Sequence, residues 1–493
     1  MSRTAPAGSG LQGSYQNIRS AAPKPVKHSS RLSRKIRTTR IRMPRVGWIK
    51  LVAWCAVTLL LSPLCLASVP DYAREEEPVA DTMEDARGLI TKGFYLKRFD
   101  LSLFPRLKRR LEPLPPFWRD TRLAAKPRSY YFDRDRDIGD SVAWALGGSL
   151  EHQSGWWKER LRIATTLYTS QKLYGPSDKD GTLLLEPGQQ SFTVLGEAYV
   201  ELRLTERSFA RAGRTALDLP YLNRQDSRMV PNTFLAYGLT GNIVEPLEFT
   251  AGQATHMKRR DSDNFEPMSR AAGLRGTDEP VSVAGMRYSF AESINLGFVN
   301  LYAWEFMNTF YTEGNAAWRI SEDLSVGVGA QFTDQRSVGD ELGGDFDTGV
   351  YGAKVSTTYQ GATLSLAFSS TDKGSRIRSP FGGYPGYLSL MVKDFNRAGE
   401  DAWLVGLAYD FAELGLEGVS AYMNYAEGYT PNSHSSGAPD QRELDLTLDI
   451  RPITPALDDL WLRLRHARVD QQGRFADDVR DWRVILNYQI PLL

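Results

Sequence analysis

The sequence predicts an all-β fold, a transmembrane antiparallel β-barrel of 18 strands with short periplasmic turns and long extracellular loops. The clearest observation is the C-terminal stretch 482–493, in which apolar and polar side chains alternate. One parity is apolar with an aromatic residue near each end, and the other is mostly polar: Trp482, Val484, Leu486, Tyr488, Ile490 and Leu492 against Arg483, Ile485, Asn487 and Gln489. Successive side chains of a strand point to opposite faces, so one face would meet hydrocarbon and the other water.

The same alternation recurs along the chain from residue 127 onward. Eighteen segments show it, near 127–136, 139–152, 157–168, 190–206, 207–216, 231–241, 246–255, 279–290, 292–304, 310–320, 322–333, 346–359, 361–370, 401–411, 416–428, 441–452, 458–469 and 480–492. The pattern is weak around 207–241 and 310–320. An even number of strands returns the C-terminus to the side on which the first strand begins, which is periplasmic in bacterial barrels.

The connections between the predicted strands also differ in length in a regular way. Tight turns lie at 205–208, 321–324, 359–362 and 412–418, and long polar connections at 169–189, 216–231, 256–278, 333–345, 371–400, 429–440 and 470–479. A soluble β-sandwich alternates too, but its loops are of comparable length at both ends. Unequal rims therefore favour an outer-membrane barrel, and 18 strands leave room for an aqueous lumen.

The first 67 residues have the composition of a secretory signal peptide. They hold twelve Lys or Arg and no Asp or Glu, and an apolar segment leads to the small residue Ala67. A retained membrane anchor is the alternative, although a span needs about 20 apolar residues. Lipidation of Cys65 is disfavoured by the bulky Leu64 before it. Cleavage near Ala67 would remove both cysteines and change the formal net charge from +1 to −11, which leaves no disulfide or thiol chemistry.

Residues 68–126 do not show the strand pattern. They begin with the acidic stretch 72–90 and end with the basic, proline-rich stretch 104–120. We interpret them as a periplasmic N-terminal extension that acts as a tether, with a gating role at the barrel mouth as the alternative. The predicted organisation is therefore a signal peptide (1–67), this extension (68–126) and the barrel domain (127–493).

Arginines of the lumen-facing parity are the candidate functional residues. Arg463 and Arg465 alternate with outward leucines, and Arg483 belongs to the polar face of the neighbouring last strand. The first strand carries Arg128 and would pair with the last when the barrel closes. Guanidinium groups stay ionised, so a ladder of them would let a carboxylate step from site to site.

The alternative is that these arginines are solvated or paired with lumen acids, for which Asp445 and Asp449 have the right parity. Arg160, Arg162, Arg203 and Arg287 are lesser candidates.

Two long loops, 217–234 and 375–400, contain Pro, Gly and aromatic residues that could hold an ordered constriction. Their alternative is a surface position with no selective role.

The chain resembles the OprD-type family of outer-membrane substrate-specific channels over roughly residues 127–493. The matching stretches are RSYYFDRD (128–135), DSRMVPNTFLAYGLTG (226–241), KDFNRAGEDAWLVGLAYDFAELGLEGVSAYMNYAEG (393–428), ELDLTLDIRPITPALDDLWLRLRHARV (443–469) and DWRVILNYQIPLL (481–493). The resemblance implies eighteen strands, a constriction made by the third and seventh outer loops, and passage of small carboxylate-bearing molecules along a basic ladder.

Residue by residue, the resemblance assigns substrate-binding roles to six arginines. Ladder positions fall on Arg463, Arg465 and Arg483, with Arg128 in the first strand, Arg211 in the fifth strand and Arg228 in the matched third-loop stretch. The extension 68–126 and the connection after residue 255 depart from the family pattern, so the identity of the substrate is not carried over. The predicted function is passive, substrate-selective diffusion of small anionic solutes across the outer membrane of a Gram-negative bacterium.

Other functional classes have less support in the sequence. The five histidines, His28, His152, His256, His434 and His466, show no metal-ligand spacing, and we expect no cofactor, metal or catalytic site. A barrel hydrolase acting on lipid or peptide remains an alternative, because a catalytic set need only meet in space. So does an adhesin or receptor with a closed lumen. The expected partners are carboxylate solutes, outer-membrane lipid, lipopolysaccharide and the barrel-assembly machinery, without nucleic acid, in a monomer or homotrimer.

Overall fold

The computed structural model describes residues 103–430, 440–452, 457, 459–472 and 476–493. The predicted signal peptide, residues 68–102 of the extension and His434 lie outside this part of the chain. The barrel strands are β1 Arg122–Arg136, β2 Ser141–Gln153, β3 Leu161–Tyr174, β4 Phe192–Thr205, β5 Ser208–Thr215, β6 Thr233–Val244, β7 Leu247–Lys258, β8 Val281–Ala291, β9 Ile294–Ala303, β10 Met307–Arg319, β11 Leu324–Ser337, β12 Asp347–Tyr359, β13 Ala362–Thr371, β14 Asp401–Asp410, β15 Val419–Tyr429, β16 Asp440–Ile450, β17 Leu460–Gln472 and β18 Val479–Tyr488.

A few short elements complete the described part. The α-helices are α1 Pro105–Leu111, α2 Pro116–Arg119 and α3 Met268–Ala271, and 3-10 turns lie at Ser177–Lys179 and Phe411–Leu414. Phe265–Pro267 and Ile490–Pro491 extend the barrel sheet, and Asp218–Leu219 pairs with Leu222–Asn223 in a separate small hairpin. Within the described residues, no helix has the length and apolar character needed to cross a membrane.

The eighteen strands form one closed antiparallel barrel. Each strand pairs with its neighbour in the chain, and β18 pairs with β1, where Arg483 lies opposite Phe132. Closure leaves no strand edge unpaired, which is what a sheet in hydrocarbon requires. The predicted fold class and the pairing of the first strand with the last are confirmed.

The faces of the strands follow the predicted parity. In β18, Trp482, Val484 and Leu486 are exposed on the outside, whereas Arg483 and Ile485 are buried on the inside. The same holds in β17, β16 and β14, where the predicted inward residues are the more buried ones. The outer surface therefore carries an apolar band, and the polar side chains of the strands face the lumen.

The structure differs from the sequence prediction at strand ends. β1 begins at Arg122 instead of residue 127, β3 continues to Tyr174, and β11 continues to Ser337. Beyond the hydrocarbon layer both faces of a strand meet water, so backbone pairing continues where the alternation has already ended. Two connections on the outer rim, 137–140 and 304–306, are short, so the difference between the rims is less uniform than expected.

Two outer loops fold into the lumen. L3, the connection 216–232, buries Tyr221, whose hydroxyl lies 2.8 Å from Thr333 Oγ1 on the inner face of β11. L7, the connection 372–400, buries Tyr387, whose hydroxyl donates to Glu313 Oε1 of β10 at 3.1 Å. Both loops are thus fixed to the inner wall by buried hydrogen bonds.

The two loops also contact each other. The Gly383 N–H of L7 donates to Asn223 Oδ1 of L3 at 2.7 Å, and the Asn223 side-chain amide donates to the Gly383 carbonyl at 3.1 Å. Buried apolar side chains of both loops share one cluster with the wall, including Leu219, Leu222, Phe381 and Tyr384 with Phe306 and Tyr311. This packing gives L3 and L7 a defined position across the lumen.

Candidate functional site

The inner wall of β17, β18 and β1 carries the predicted arginines in close register. Arg465 lies directly opposite Arg483 in the pairing of β17 with β18. Arg463 lies opposite Ile485, and Arg128 lies opposite Asn487 on the other side of β18. Parity and strand pairing together place these four side chains on one continuous part of the wall.

Arg463 is a paired arginine. Its Nε and Nη2 donate to Asp449 Oδ1 and Oδ2 at 2.7 and 2.9 Å, and its guanidinium lies 4.3 Å from the centre of the Trp461 ring. The side chain is only 1% exposed. The pairing alternative therefore holds for Arg463 and Asp449, whereas Asp445 instead accepts the Met391 N–H of L7 at 3.0 Å.

Arg483 shares its carboxylate with a second arginine. It donates to both oxygens of Asp481 at 2.9 Å, and Arg134 of β1 donates to Asp481 Oδ2 at 2.6 and 3.0 Å. Arg483 Nη2 also donates to the Met391 carbonyl at 3.0 Å, which ties L7 to this wall. Two guanidiniums on one carboxylate leave a net positive charge.

The charge of Arg465 is less fully compensated than the charges of Arg463 and Arg483. Its side-chain hydrogen bond goes from Nε to Thr447 Oγ1 at 3.2 Å, and no carboxylate in the described part of the chain forms an ion pair with it. Asp445 of the neighbouring strand β16 interacts with this guanidinium electrostatically, without an ion-pair contact.

Arg128 joins the wall to L3. Its Nη1 and Nη2 donate to Asp226 at 2.7 and 3.2 Å, its Nε donates to Asn487 Oδ1 at 2.7 Å, and its Nη1 also contacts the Arg228 carbonyl. The first-strand arginine therefore holds the loop that carries Arg228 against β1.

Arg228 and Arg260 form the centre of the site. Arg228 Nη1 and Arg260 Nη1 approach one hydroxyl oxygen, Ser227 Oγ, at 3.4 and 2.7 Å. Arg228 otherwise donates to carbonyls, those of Thr182 and Ser227, at 2.8 and 2.7 Å. Among the described residues, neither guanidinium has a carboxylate partner.

The electrostatics of this pair are unusual for loop arginines. Burial lowers the pKa of Arg260 to about 10, and it lowers the pKa of Arg228 well below its usual range, with repulsion from Arg483 and Arg260 adding to the effect on Arg228. Guanidinium groups stay protonated in proteins, so both side chains keep their positive charge in spite of this burial.

Arg211 lies in the fifth strand, as the resemblance implies, but away from this cluster. Its Nε and Nη2 donate to Glu201 Oε2 at 3.2 and 2.7 Å, and Arg162 pairs with the other oxygen of the same carboxylate. The lesser candidates Arg162 and Arg203 lie 4.5 and 4.1 Å from the centre of the Trp156 ring. This part of the wall is basic too, but its cations are more fully partnered.

Two members of the site were missed by the sequence analysis. Arg134 lies six residues after Arg128, which puts both on the inner face of β1, so its parity was a usable signal. Arg260 belongs to L4, the connection 259–280, and nothing in the sequence indicates that this loop meets L3. No cluster of His, Cys, Asp and Glu in the part of the chain described here is arranged to hold a metal ion.

A closed barrel with an apolar outer band, a polar lumen and inward-folded loops defines an outer-membrane porin. The family described as "outer membrane porin, OprD family" matches residues 115–492. The chain belongs to the OprD family of outer membrane porins, which confirms the resemblance and places the protein in the outer membrane.

Known relatives agree with this assignment. The porin-like protein GalP of Pseudomonas putida is 22% identical over 392 residues, which cover 76% of this chain and 93% of GalP. Pseudomonas aeruginosa OccK9 (OpdG) has a TM-score of 0.69 at 24% identity, covering 77% of this chain and 100% of that one. The structure of Pseudomonas aeruginosa OpdK with vanillate has a TM-score of 0.69 at 22% identity, covering 76% of this chain and 99% of OpdK. At these identities the solved structures show that the fold is shared.

Proposed function

We propose that this porin admits small carboxylate-bearing anions by passive, selective diffusion. The observation that carries the proposal is the convergence of Arg228 and Arg260 on Ser227, where neither guanidinium forms an ion pair with a carboxylate of the described chain. A carboxylate that reached this point would gain two cationic donors in a setting less polar than bulk water.

The remaining arginines extend this site into a path. Arg134 lies opposite Asp481 in the β1–β18 register, followed toward the periplasmic rim by Phe132 opposite Arg483 and by Arg128 opposite Asn487. Successive cationic positions allow an anion to move in short steps, each binding weakly enough to release it.

The six predicted arginines take different parts in this proposal. Arg228 and Arg465 contact the solute because neither forms an ion pair with a described carboxylate, and Arg483 contributes through the net charge it shares with Arg134. Arg463, Arg128 and Arg211 hold the wall and L3 in place through their own carboxylates. The cationic path is thus a mixture of charged contacts and positioning residues.

We expect the ordered loops L3 and L7 to limit the size of the solute. L3 and L7 meet across the lumen through Asn223 and Gly383, so the opening beside Arg228 is bounded by ordered backbone. The related OpdK was crystallised with vanillate, an aromatic carboxylate, which makes vanillate a suitable first probe. A constriction made by ordered loops can select among solutes. Diffusion through it needs no energy input.

Uptake into proteoliposomes tests the proposal. Vanillate is compared with vanillyl alcohol, which has nearly the same shape without the carboxylate, and with arginine as a cation. We expect vanillate to enter several-fold faster than either. Equal entry of the alcohol or faster entry of the cation would contradict anion selection, and intact barrel dichroism without conductance would favour a closed receptor.

A further inference from the structure

The segment 103–121, which we call the rim segment, precedes β1 and lies along the periplasmic rim. The N–H groups of Leu103 and Phe104 donate to the carbonyls of Pro491 and Leu492 at 3.0 and 3.2 Å. At its other end, Phe117 accepts the Gly155 N–H of the β2–β3 turn at 2.9 Å. The rim segment therefore follows the barrel wall from the end of β18 to the turn after β2 before the chain enters β1.

The rim segment is attached through backbone hydrogen bonds, and five of its large apolar side chains are exposed. Neither α1 nor α2 has a buried residue. The exposed apolar residues are Leu103, Phe104, Leu107, Leu114 and Trp118, with Leu103 60% and Trp118 55% exposed. Five large apolar side chains within the sixteen residues 103–118 are more than scattered surface residues explain, so this patch needs an apolar neighbour.

The same segment is strongly basic. α1 has the sequence PRLKRRL, with no acidic residue in its first turn and three basic residues in its last. Phe104, Leu107 and Leu111 recur at spacings of three and four, which puts them on one side of the helix, while Arg106, Arg109 and Arg110 lie at other positions. An apolar stripe of Phe and Leu beside a face rich in arginine is typical of helices that lie in a membrane interface.

The position of the rim segment indicates that its apolar neighbour is the membrane. The rim segment pairs with the last residues of the barrel wall, so it lies at the periplasmic end of the barrel. Trp157 of the adjoining turn is also exposed, and tryptophan is enriched at this level of membrane proteins. The exposed patch thus lies at the level where a membrane interface is expected on the periplasmic side.

We propose that the rim segment is an interfacial anchor that binds anionic phospholipid headgroups of the periplasmic leaflet. The side chains of Phe104, Leu107, Leu114 and Trp118 enter the boundary between headgroups and acyl chains. The arginines of α1 contact phosphate groups. Peptidoglycan, whose peptides carry carboxylates, would use the cations but leave the apolar side chains in water, so lipid fits both features of the segment.

A nitroxide placed in the rim segment tests the proposal on the full chain. In a Cys55→Ser, Cys65→Ser background, Leu114→Cys is labelled and the protein is reconstituted in phosphatidylcholine alone or in equal parts of phosphatidylcholine and phosphatidylglycerol. Collision of the label with oxygen and with a water-soluble nickel chelate reports its depth. We expect the nickel accessibility to fall on the order of fivefold when phosphatidylglycerol is present.

Charge variants separate specific contacts from net charge. Replacing Arg106, Arg109 and Arg110 with Gln should abolish the effect of phosphatidylglycerol. The control variant makes the same replacement at three exposed arginines elsewhere, Arg207, Arg259 and Arg270. It should retain the effect of phosphatidylglycerol. Both variants should keep the wild-type single-channel conductance, which shows that the barrel is folded.

Two results would overturn the anchor. One is a label that stays equally accessible to the nickel chelate in both lipid mixtures while the channel conducts normally. The other is cosedimentation with peptidoglycan sacculi that depends on the α1 arginines, together with a water-exposed label in phosphatidylglycerol vesicles, which would assign the segment to the cell wall instead.

Discussion

Replacing Arg260 with Gln is the most direct perturbation of the proposed anion site. Arg260 forms a hydrogen bond with Ser227 Oγ at 2.7 Å and no ion pair with a described carboxylate. Its loss therefore leaves no buried carboxylate without a partner, and glutamine can still donate to the hydroxyl. The same change at Arg463 would remove the cation paired with Asp449. At Arg483 it would weaken the ion pairing of Asp481. Arg260→Gln thus changes charge with little change in structure.

The size of the effect follows from the distance of the charge. An anionic oxygen near Ser227 would lie about 4 Å from the Arg260 guanidinium, where two unit charges interact by about 1 kcal/mol in water and about 4 kcal/mol at an effective dielectric of ~20. A wet lumen lies toward the lower value. We expect a loss of roughly 1–2 kcal/mol, which weakens anion binding about 5- to 30-fold.

Planar bilayer recording measures this loss in two ways. Vanillate is titrated against the single-channel current to give its apparent affinity, and the reversal potential in a KCl gradient gives the preference for chloride over potassium. The matched control is Arg259→Gln, an exposed neighbour that pairs with Glu266 at 3.0 Å. Unchanged vanillate affinity in Arg260→Gln, or an equal loss in Arg259→Gln, would refute the assignment of Arg260 to the anion path.

Three further substitutions test other parts of the site. Arg463→Gln should cost about 3–5 kcal/mol of unfolding free energy because the buried Asp449 loses its cation, and adding Asp449→Asn should restore much of it in urea titrations. Arg463→Ala combined with Arg465→Ala should lower the chloride preference in the reversal potential, and Arg465→Ala alone should account for most of it. Glu443→Gln with Asp445→Asn removes the carboxylates that accept three L7 backbone N–H groups, so the single-channel current should become noisier.

The barrel could be predicted from the sequence because its two solvents impose a period of two. A residue such as Val484 meets hydrocarbon and its neighbour Arg483 faces the lumen, so side-chain parity alone orders each strand. The same rule fails outside the hydrocarbon layer, where β1 begins at Arg122 before any alternation is visible. Strand existence was therefore predictable and strand ends were not.

The wall of the site was predictable for the same reason, and its centre was not. Arg465 and Arg483 share a face, and the pairing of neighbouring strands brings them together. The convergence of Arg228 and Arg260 depends on how L3 and L4 fold against each other. Loop packing of this kind follows no sequence period, so local pattern could not indicate it.

An anion-selective wall has to satisfy two opposing demands. Its arginines must be held in place, which partners such as carboxylates achieve, yet full pairing would cancel the charge that attracts the solute. In the proposed anion path, both demands are met by giving one carboxylate two guanidiniums. Asp481 accepts from Arg134 and Arg483, and Glu201 likewise takes two arginines of β3 and β5. Each such group is ordered by hydrogen bonds and still carries a positive charge, so local charge can favour anions even though signal-peptide cleavage would leave the mature chain acidic.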